Sequence, residues 1–183
     1  MKSLEKRFEN LRKELENNYE NFNNLADEKT GLFIYEPNKE KEVIKEVKRL
    51  AKKLKDNYEV CELSMFDLIF EALEELSEDG LEFIYSREKE DSAELIEDAH
   101  DPLLDYISKK IIENDKNLEN GITLIYRCGA IYPFLRIHSI TAKIENKLEN
   151  PTMIFYPGKR EGQKLKFLNR SSTTGDYRVK IYG

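Results

Sequence analysis

The sequence predicts an α/β fold: a single three-layer domain with a mostly parallel sheet of about 5–6 strands and helices on both faces. Three observations predict it. Short apolar runs alternate four times with stretches of helical period. The segments between the runs are long enough for right-handed crossovers. The carboxyl ends of the runs, Tyr35-Glu36-Pro37, Leu63-Ser64, Arg127-Cys128-Gly129 and Tyr156-Pro157-Gly158, are mostly marked by turn residues. Residues 1–183 read as one domain, with an amphipathic N-terminal helix over 1–26, a sheet-containing body over 31–183 and an antiparallel edge at the C-terminus.

Leu4, Phe8, Leu11, Leu15, Tyr19, Phe22 and Leu25 recur every three or four residues, which predicts a helix of roughly six turns whose nearly heptad stripe either packs on its own domain or pairs with a partner helix. The first strand is Leu32 to Tyr35, between Gly31 and Pro37. Asn38 is placed to cap the next helix, whose stripe is Val43, Val47, Leu50 and Leu54. Glu40 and Glu42 fall in its first turn and lysines in its last, as the helix dipole favours. Tyr58 to Leu63 alternates as a second strand. Ser64 and Asp67 have the spacing of a capping box ahead of Leu68, Ala72, Leu73 and Leu76, and Gly80 closes that helix. Asp101-Pro102 reads as the cap and first residue of a helix carrying Leu103, Ile107, Ile111 and Ile112. Asn114 to Gly121 is a polar loop. A third strand over Ile122 to Cys128 leads through a sharp turn into a helix from Pro133 to Leu148. The fourth strand, Thr152 to Tyr156, is stopped by Pro157-Gly158. Lys164 to Leu168 and Tyr177 to Tyr182 close the chain as a hairpin around a turn over Ser171 to Gly175.

Composition narrows the function classes. The chain has 183 residues, is 39% hydrophobic and 36% charged, and takes its bulk from 10 Tyr and 9 Phe. It has no apolar run near the ~18–20 residues that cross a membrane, and no apolar stretch suited to a secretory leader at its start. Two cysteines do not make a disulfide framework, so the expectation is a reduced, cytoplasmic protein without a membrane. The net charge of −6 is divided: residues 121–183 carry +7 and residues 1–120 carry −13. Such a division reads as an interaction polarity or as a solvated acidic helical face. The overall acidity argues against direct nucleic-acid binding, which needs a concentrated basic surface.

Ligands of open α/β sheets bind at the carboxyl ends of the strands, where strand order reverses. Glu36, Arg127, Arg136 and His138 are expected to converge on that edge, and Lys159 and Arg160 make the C-terminal end basic. The segment Gly129 to Pro133 is too short and apolar to wrap a phosphate, Pro133 removes a donor, and no Lys-Ser/Thr pair follows. His138 reads first as a hydrogen-bonded structural histidine and second as a proton carrier. Arg136 lies about 200° around the helix from Phe134 and suits an acidic partner or a salt bridge with Glu36. Cys61 and Cys128 read as small apolar residues. Asp98, His100 and Asp101 read as a helix boundary rather than a metal site. Neither metal nor cofactor is expected, and no catalytic set emerges.

The run Gly129-Ala130-Ile131-Tyr132-Pro133-Phe134-Leu135-Arg136-Ile137-His138-Ser139, then Pro151-Thr152-Met153-Ile154-Phe155-Tyr156-Pro157-Gly158 and Tyr177-Arg178, resembles the BrxB family of bacteriophage-exclusion (BREX) defence systems. Order and spacing match over about residues 120–180, and Phe33 to Pro37 and Tyr58 to Leu76 match in pattern. The approach Ala26 to Gly31 and the turn Ser171 to Gly175 depart from it. The resemblance implies a cytoplasmic accessory component that works beside a phosphatase-like protein, an ATPase and a methyltransferase. It carries no catalytic residues over. The expectation is a non-enzymatic adaptor; the alternative is a nucleotide- or nucleic-acid-binding module at the sheet's carboxyl edge. A weaker enzymatic reading would rest on His138, Glu36 and Arg127.

Overall fold

The computed structural model describes residues 3–17, 19–20, 29–76, 92–161, 164–168, 171–173 and 180–182. Strands β1 (Thr30–Tyr35), β2 (Glu59–Ser64), β3 (Gly121–Tyr126), β4 (Thr152–Glu161) and β7 (Lys180–Tyr182) form a parallel sheet in the order β2-β3-β4-β1-β7. Two short strands, β5 (Lys164–Phe167) and β6 (Ser171–Thr173), extend antiparallel from the end of β4. The α/β class and the mostly parallel sheet are as the alternating pattern requires.

Period-two alternation divides the strands between two cores. Phe33, Tyr35, Ile122, Leu124, Met153 and Phe155 face helices α1 (Leu4–Asn17) and α2 (Glu40–Leu54). Leu32, Ile125, Ile154 and Tyr156 face α3 (Met65–Leu76), α4 (Ser92–Lys116) and α5 (Ile137–Ile144). The N-terminal stripe packs on its own chain. The Phe8 ring lies 4.6 Å from Phe33 and 5.5 Å from Phe155, centroid to centroid. Each such buried side chain stabilises the fold by about 1.5–3 kcal/mol, so this stripe holds α1 against β1 and β4. Phe22, Leu25 and Gly80 lie outside the described residues.

Several local expectations are corrected. Helix α2 begins behind a 3₁₀ turn, Pro37–Lys39, and its cap position is Lys39 rather than Asn38. Pro102 lies inside α4 rather than at its start. Leu95 is buried with Leu103, Ile107 and Ile111, so one continuous apolar stripe outweighs the single bond and the crowding that proline costs. That helix also runs to Lys116, into the expected polar loop. The last predicted helix is shorter than expected. β3 ends at Tyr126, Cys128–Ile131 forms a 3₁₀ turn, the Tyr132-Pro133 bond is cis, and α5 starts only at Ile137. Phe134 and Pro133 therefore belong to the turn. Ser64 caps its helix as expected, its Oγ accepting the Asp67 N–H at 3.3 Å.

β4 is not stopped by Pro157-Gly158. Pro157 is opposite Tyr35 in the parallel pair, and Gly158 opens the antiparallel pairing with Phe167. A Cβ at residue 158 would lie 2.1 Å from the Lys166 carbonyl oxygen, so only glycine lets the backbones approach this closely. The expected closing hairpin is also replaced: β7 runs parallel beside β1, while the antiparallel partners of β5 are β4 and β6. The chain leaves β1 for β2 at the far side of the sheet, then returns through β3 and β4 and passes over β1 to β7. Strand order thus reverses at β1.

The amino edge of the sheet is tied by a buried polar group. The Asp115 carboxylate, at the end of α4, accepts the backbone N–H of Glu149 at 2.6 Å and of Asn150 at 3.3 Å. The Asn150 side chain donates to the Asp115 carbonyl at 2.9 Å and accepts the Gly121 N–H at 2.9 Å. Tyr19 donates to the Gly121 carbonyl at 3.2 Å.

Candidate functional site

A cleft of about 570 Å³ lies over the carboxyl end of β1, flanked by the ends of β4 and β7 and roofed by α1. This is the point where strand order reverses, the favoured place for a ligand in a parallel sheet. Helix α1 contributes Arg7, Asn10 and Glu14; β1 leads into Glu36; β4 contributes Lys159 and Arg160. Ile34, Tyr35 and Tyr182 supply the apolar floor.

Arg7 is the unusual member. It belongs to the helix that also carries Phe8, and this register turns it inward rather than to solvent. Its guanidinium carbon stands 4.6 Å from the Phe33 ring centroid, and Nη2 donates to the Ile34 carbonyl oxygen. Its Nε is buried with no hydrogen-bond partner among the described residues. Burial lowers the pKa of the group, as expected for a cation removed from water. The acids that line the same cleft are placed otherwise: Glu14 pairs with Lys180 at 3.5 Å, and Glu36 is exposed.

Behind the cleft floor, the Tyr35 hydroxyl donates to Glu40 Oε2. Burial pushes the Glu40 carboxyl up, against the opposing effects of this hydrogen bond and of the Arg127 charge. Burial, then the Glu40 charge, pushes the Tyr35 phenol up as well, so it stays a donor. The nearby Cys128 thiol is fully buried and raised well above its ordinary value by desolvation. Cys61 is pushed up to about 11, chiefly by burial. Neither is held as a thiolate, the form that attacks or binds metal.

The β3-to-α5 corner forms a second, separate surface. Arg127 takes a left-handed conformation (φ 57°) and places its guanidinium carbon 3.9 Å from the Phe66 ring centroid, with Asp67 Oδ1 3.9 Å from Nη1. The Phe66 and Phe70 rings on α3 pack with centroids 4.7 Å apart and planes tilted by 44°, yet remain 37% and 38% exposed. Tyr132, in the turn, is 37% exposed. Arg136 stands at the N-cap position of α5 with extended backbone, and both Arg136 and His138 are exposed. The His138 carbonyl accepts the Thr141 hydroxyl at 2.9 Å.

The six residues singled out from the sequence therefore fall into two groups rather than converging. Glu36, Lys159 and Arg160 line the cleft, and Arg127, Arg136 and His138 belong to the corner. Sequence reasoning missed Arg7 and Glu40, and it missed Phe66 and Phe70. Phe66 and Phe70 carried a signal: they stand outside the Leu68 and Ala72 stripe of their own helix, which the structure buries together with Ile69 while Leu76, expected in it, is 47% exposed. His100 and Asp101, expected at a helix boundary, lie within α4 and are 2.8 Å apart. Among the described residues no group of three or more His, Cys, Asp and Glu side chains is arranged to hold a metal ion. No helix among them is long and apolar enough to cross a membrane.

Comparison with known proteins fits this architecture to a family. The model of a family described as "BREX protein BrxB" matches residues 61–181. A protein of Bacillus cereus (strain H3081.97) named "BREX protein BrxB" is 22% identical over 161 residues, covering 81% of this chain and 80% of its own length. No solved structure matches. The matched span includes the corner, α3 and the basic end of β4, while Arg7 and Glu36 precede it.

Proposed function

The chain belongs to the BrxB family of BREX phage-defence components, and from that premise we propose that it acts in the cytoplasm as a non-enzymatic adaptor for other proteins of its system. The observation that carries this reading is the corner surface. Phe66, Phe70 and Tyr132 are each more than a third exposed, and Arg127 stacks on Phe66. Aromatic residues and arginine are enriched at protein interfaces and dominate their energetics, because they bury much area at small entropic cost. Exposed pairs of large rings are costly to leave in water, so a partner that covers them gains. Arg136 and His138 stand beside the same turn and give the patch a polar rim. The phosphatase-like, ATPase and methyltransferase components are the candidate partners.

The test is co-purification from cells that carry the whole defence system. A tagged chain with Phe66→Ser and Phe70→Ser together should recover at least about tenfold less of its partner, as loss of hot-spot residues worth more than 1.4 kcal/mol requires. Arg136→Glu should reduce recovery by a smaller factor. Arg136→Glu should keep the parent's melting temperature because the group is exposed, and the double Phe variant should keep the parent's circular dichroism. Undiminished recovery with both variants would overturn the adaptor surface.

A further inference from the structure

We propose that the carboxyl-edge cleft binds a nucleoside monophosphate, with its phosphate on Arg7 and Arg160. The inference is independent of the adaptor surface, which lies on the other side of β4. It begins from Arg7. A guanidinium withdrawn from water normally acquires an acidic partner, because an uncompensated buried charge is costly. Arg7 has instead a carbonyl and an aromatic face, and among the described residues no carboxylate bonds to it. Its Nε–H is buried without an acceptor, in a side chain that lines the cleft. That Nε–H is closed off from the cleft, so an anion there meets the part-buried guanidinium through its other N–H groups and supplies a negative partner. Lys159 and Arg160 approach from the β4 side and bring two further positive charges to the same space.

The remaining lining narrows the anion. The cleft, at about 570 Å³, is far larger than a free phosphate needs and lies within the usual range for a small organic ligand. Ile34 and Tyr182 offer an apolar wall against which a base can stack. Glu14 and Glu36 would repel a bare anion, but carboxylates at such an edge accept hydrogen bonds from ribose hydroxyls. A phosphorylated nucleoside is the ligand class that uses the guanidinium, the apolar wall and the carboxylates together.

Isothermal titration of the full chain with AMP, GMP, CMP and UMP tests this. At least one should bind with Kd below about 1 mM. Arg7→Met and Arg160→Glu should each weaken it about tenfold or more, in proteins that retain the parent's circular dichroism. The corresponding nucleoside and inorganic phosphate, titrated separately, should each bind at least about tenfold more weakly than the nucleotide. No heat from any nucleotide at about 10 mM would overturn the proposal. So would a nucleotide affinity unchanged in both variants, an affinity matched by the nucleoside alone, or one matched by phosphate alone. Arg160 is exposed, so its variant remains informative if Arg7→Met fails to fold.

Discussion

The two edges of the parallel sheet are built on opposite principles. At the amino edge, a buried carboxylate is surrounded by donors: Asp115 accepts from Glu149 and Asn150, Asn150 returns a bond to the Asp115 carbonyl, and the same amide accepts from Gly121. At the carboxyl edge, a half-buried guanidinium holds one carbonyl and leaves its buried Nε–H without an acceptor among the described residues. The first arrangement is closed and ties α4 to the starts of β3 and β4. The second is open and faces a cleft. A satisfied buried charge is structure; one left partly unsatisfied at the ligand edge of a sheet is a candidate for function.

The sharpest way to break this contrast is Asp115→Ala. The change removes the acceptor of the buried Asn150 N–H and of the part-buried Glu149 N–H. We expect a loss of about 2–4 kcal/mol in unfolding free energy, since each orphaned buried donor costs roughly 1–3 kcal/mol. Urea denaturation followed by circular dichroism measures it. A loss under about 1 kcal/mol would mean that water replaces the carboxylate and that the amino edge is not closed.

Arg7→Met makes the complementary test. Replacing a half-buried, poorly compensated charge by an apolar side chain of similar length is often neutral or stabilising. The expected change in unfolding free energy is within about 1 kcal/mol of zero, in either direction. A loss of 3 kcal/mol or more, roughly the cost of breaking a well-made buried pair, would place Arg7 among the structural groups and erase the contrast.

The contrast also explains what the sequence could disclose. Strand and helix periods are local, so the parallel sheet, the helices on both its faces and the carboxyl end at Glu36 were legible, while Lys159 and Arg160, read as lying beyond a strand stopped by Pro157-Gly158, fall inside β4. Where two local signals competed, packing decided. Pro102 carried the mark of a helix start, but the stripe from Leu95 to Ile111 runs through it. Phe134, Ile137 and Thr141 kept a helical period through a segment whose first residues form a turn. The charged groups of both edges depend on partners distant in sequence. Asp115 and Asn150 are 35 residues apart, and Arg7 reaches a carbonyl 27 residues away. An arginine on an amphipathic helix reads as solvated until the fold sets it over Phe33.

Glu40→Gln sharpens the comparison by its pH dependence, at the smallest scale. Burial raises the Glu40 pKa above its ordinary 4.5. Between that value and the raised one, the folded chain holds a proton that the unfolded chain has released. The contribution to stability is therefore fully present below pH 4.5 and is lost as pH rises through the folded value. Glutamine cannot ionise, yet keeps an oxygen to accept the Tyr35 hydroxyl. The variant should match the parent near the acid end and gain on it as pH rises toward 7. Asp115 is also raised by burial, but it is present in both proteins and cancels in the difference. Denaturant midpoints for both proteins, measured from acid to neutral pH, give the curve directly. A gap that widened toward low pH would mean that Glu40 is stabilised as a carboxylate, through Tyr35 and Arg127, and that the floor of the cleft is as closed as the amino edge.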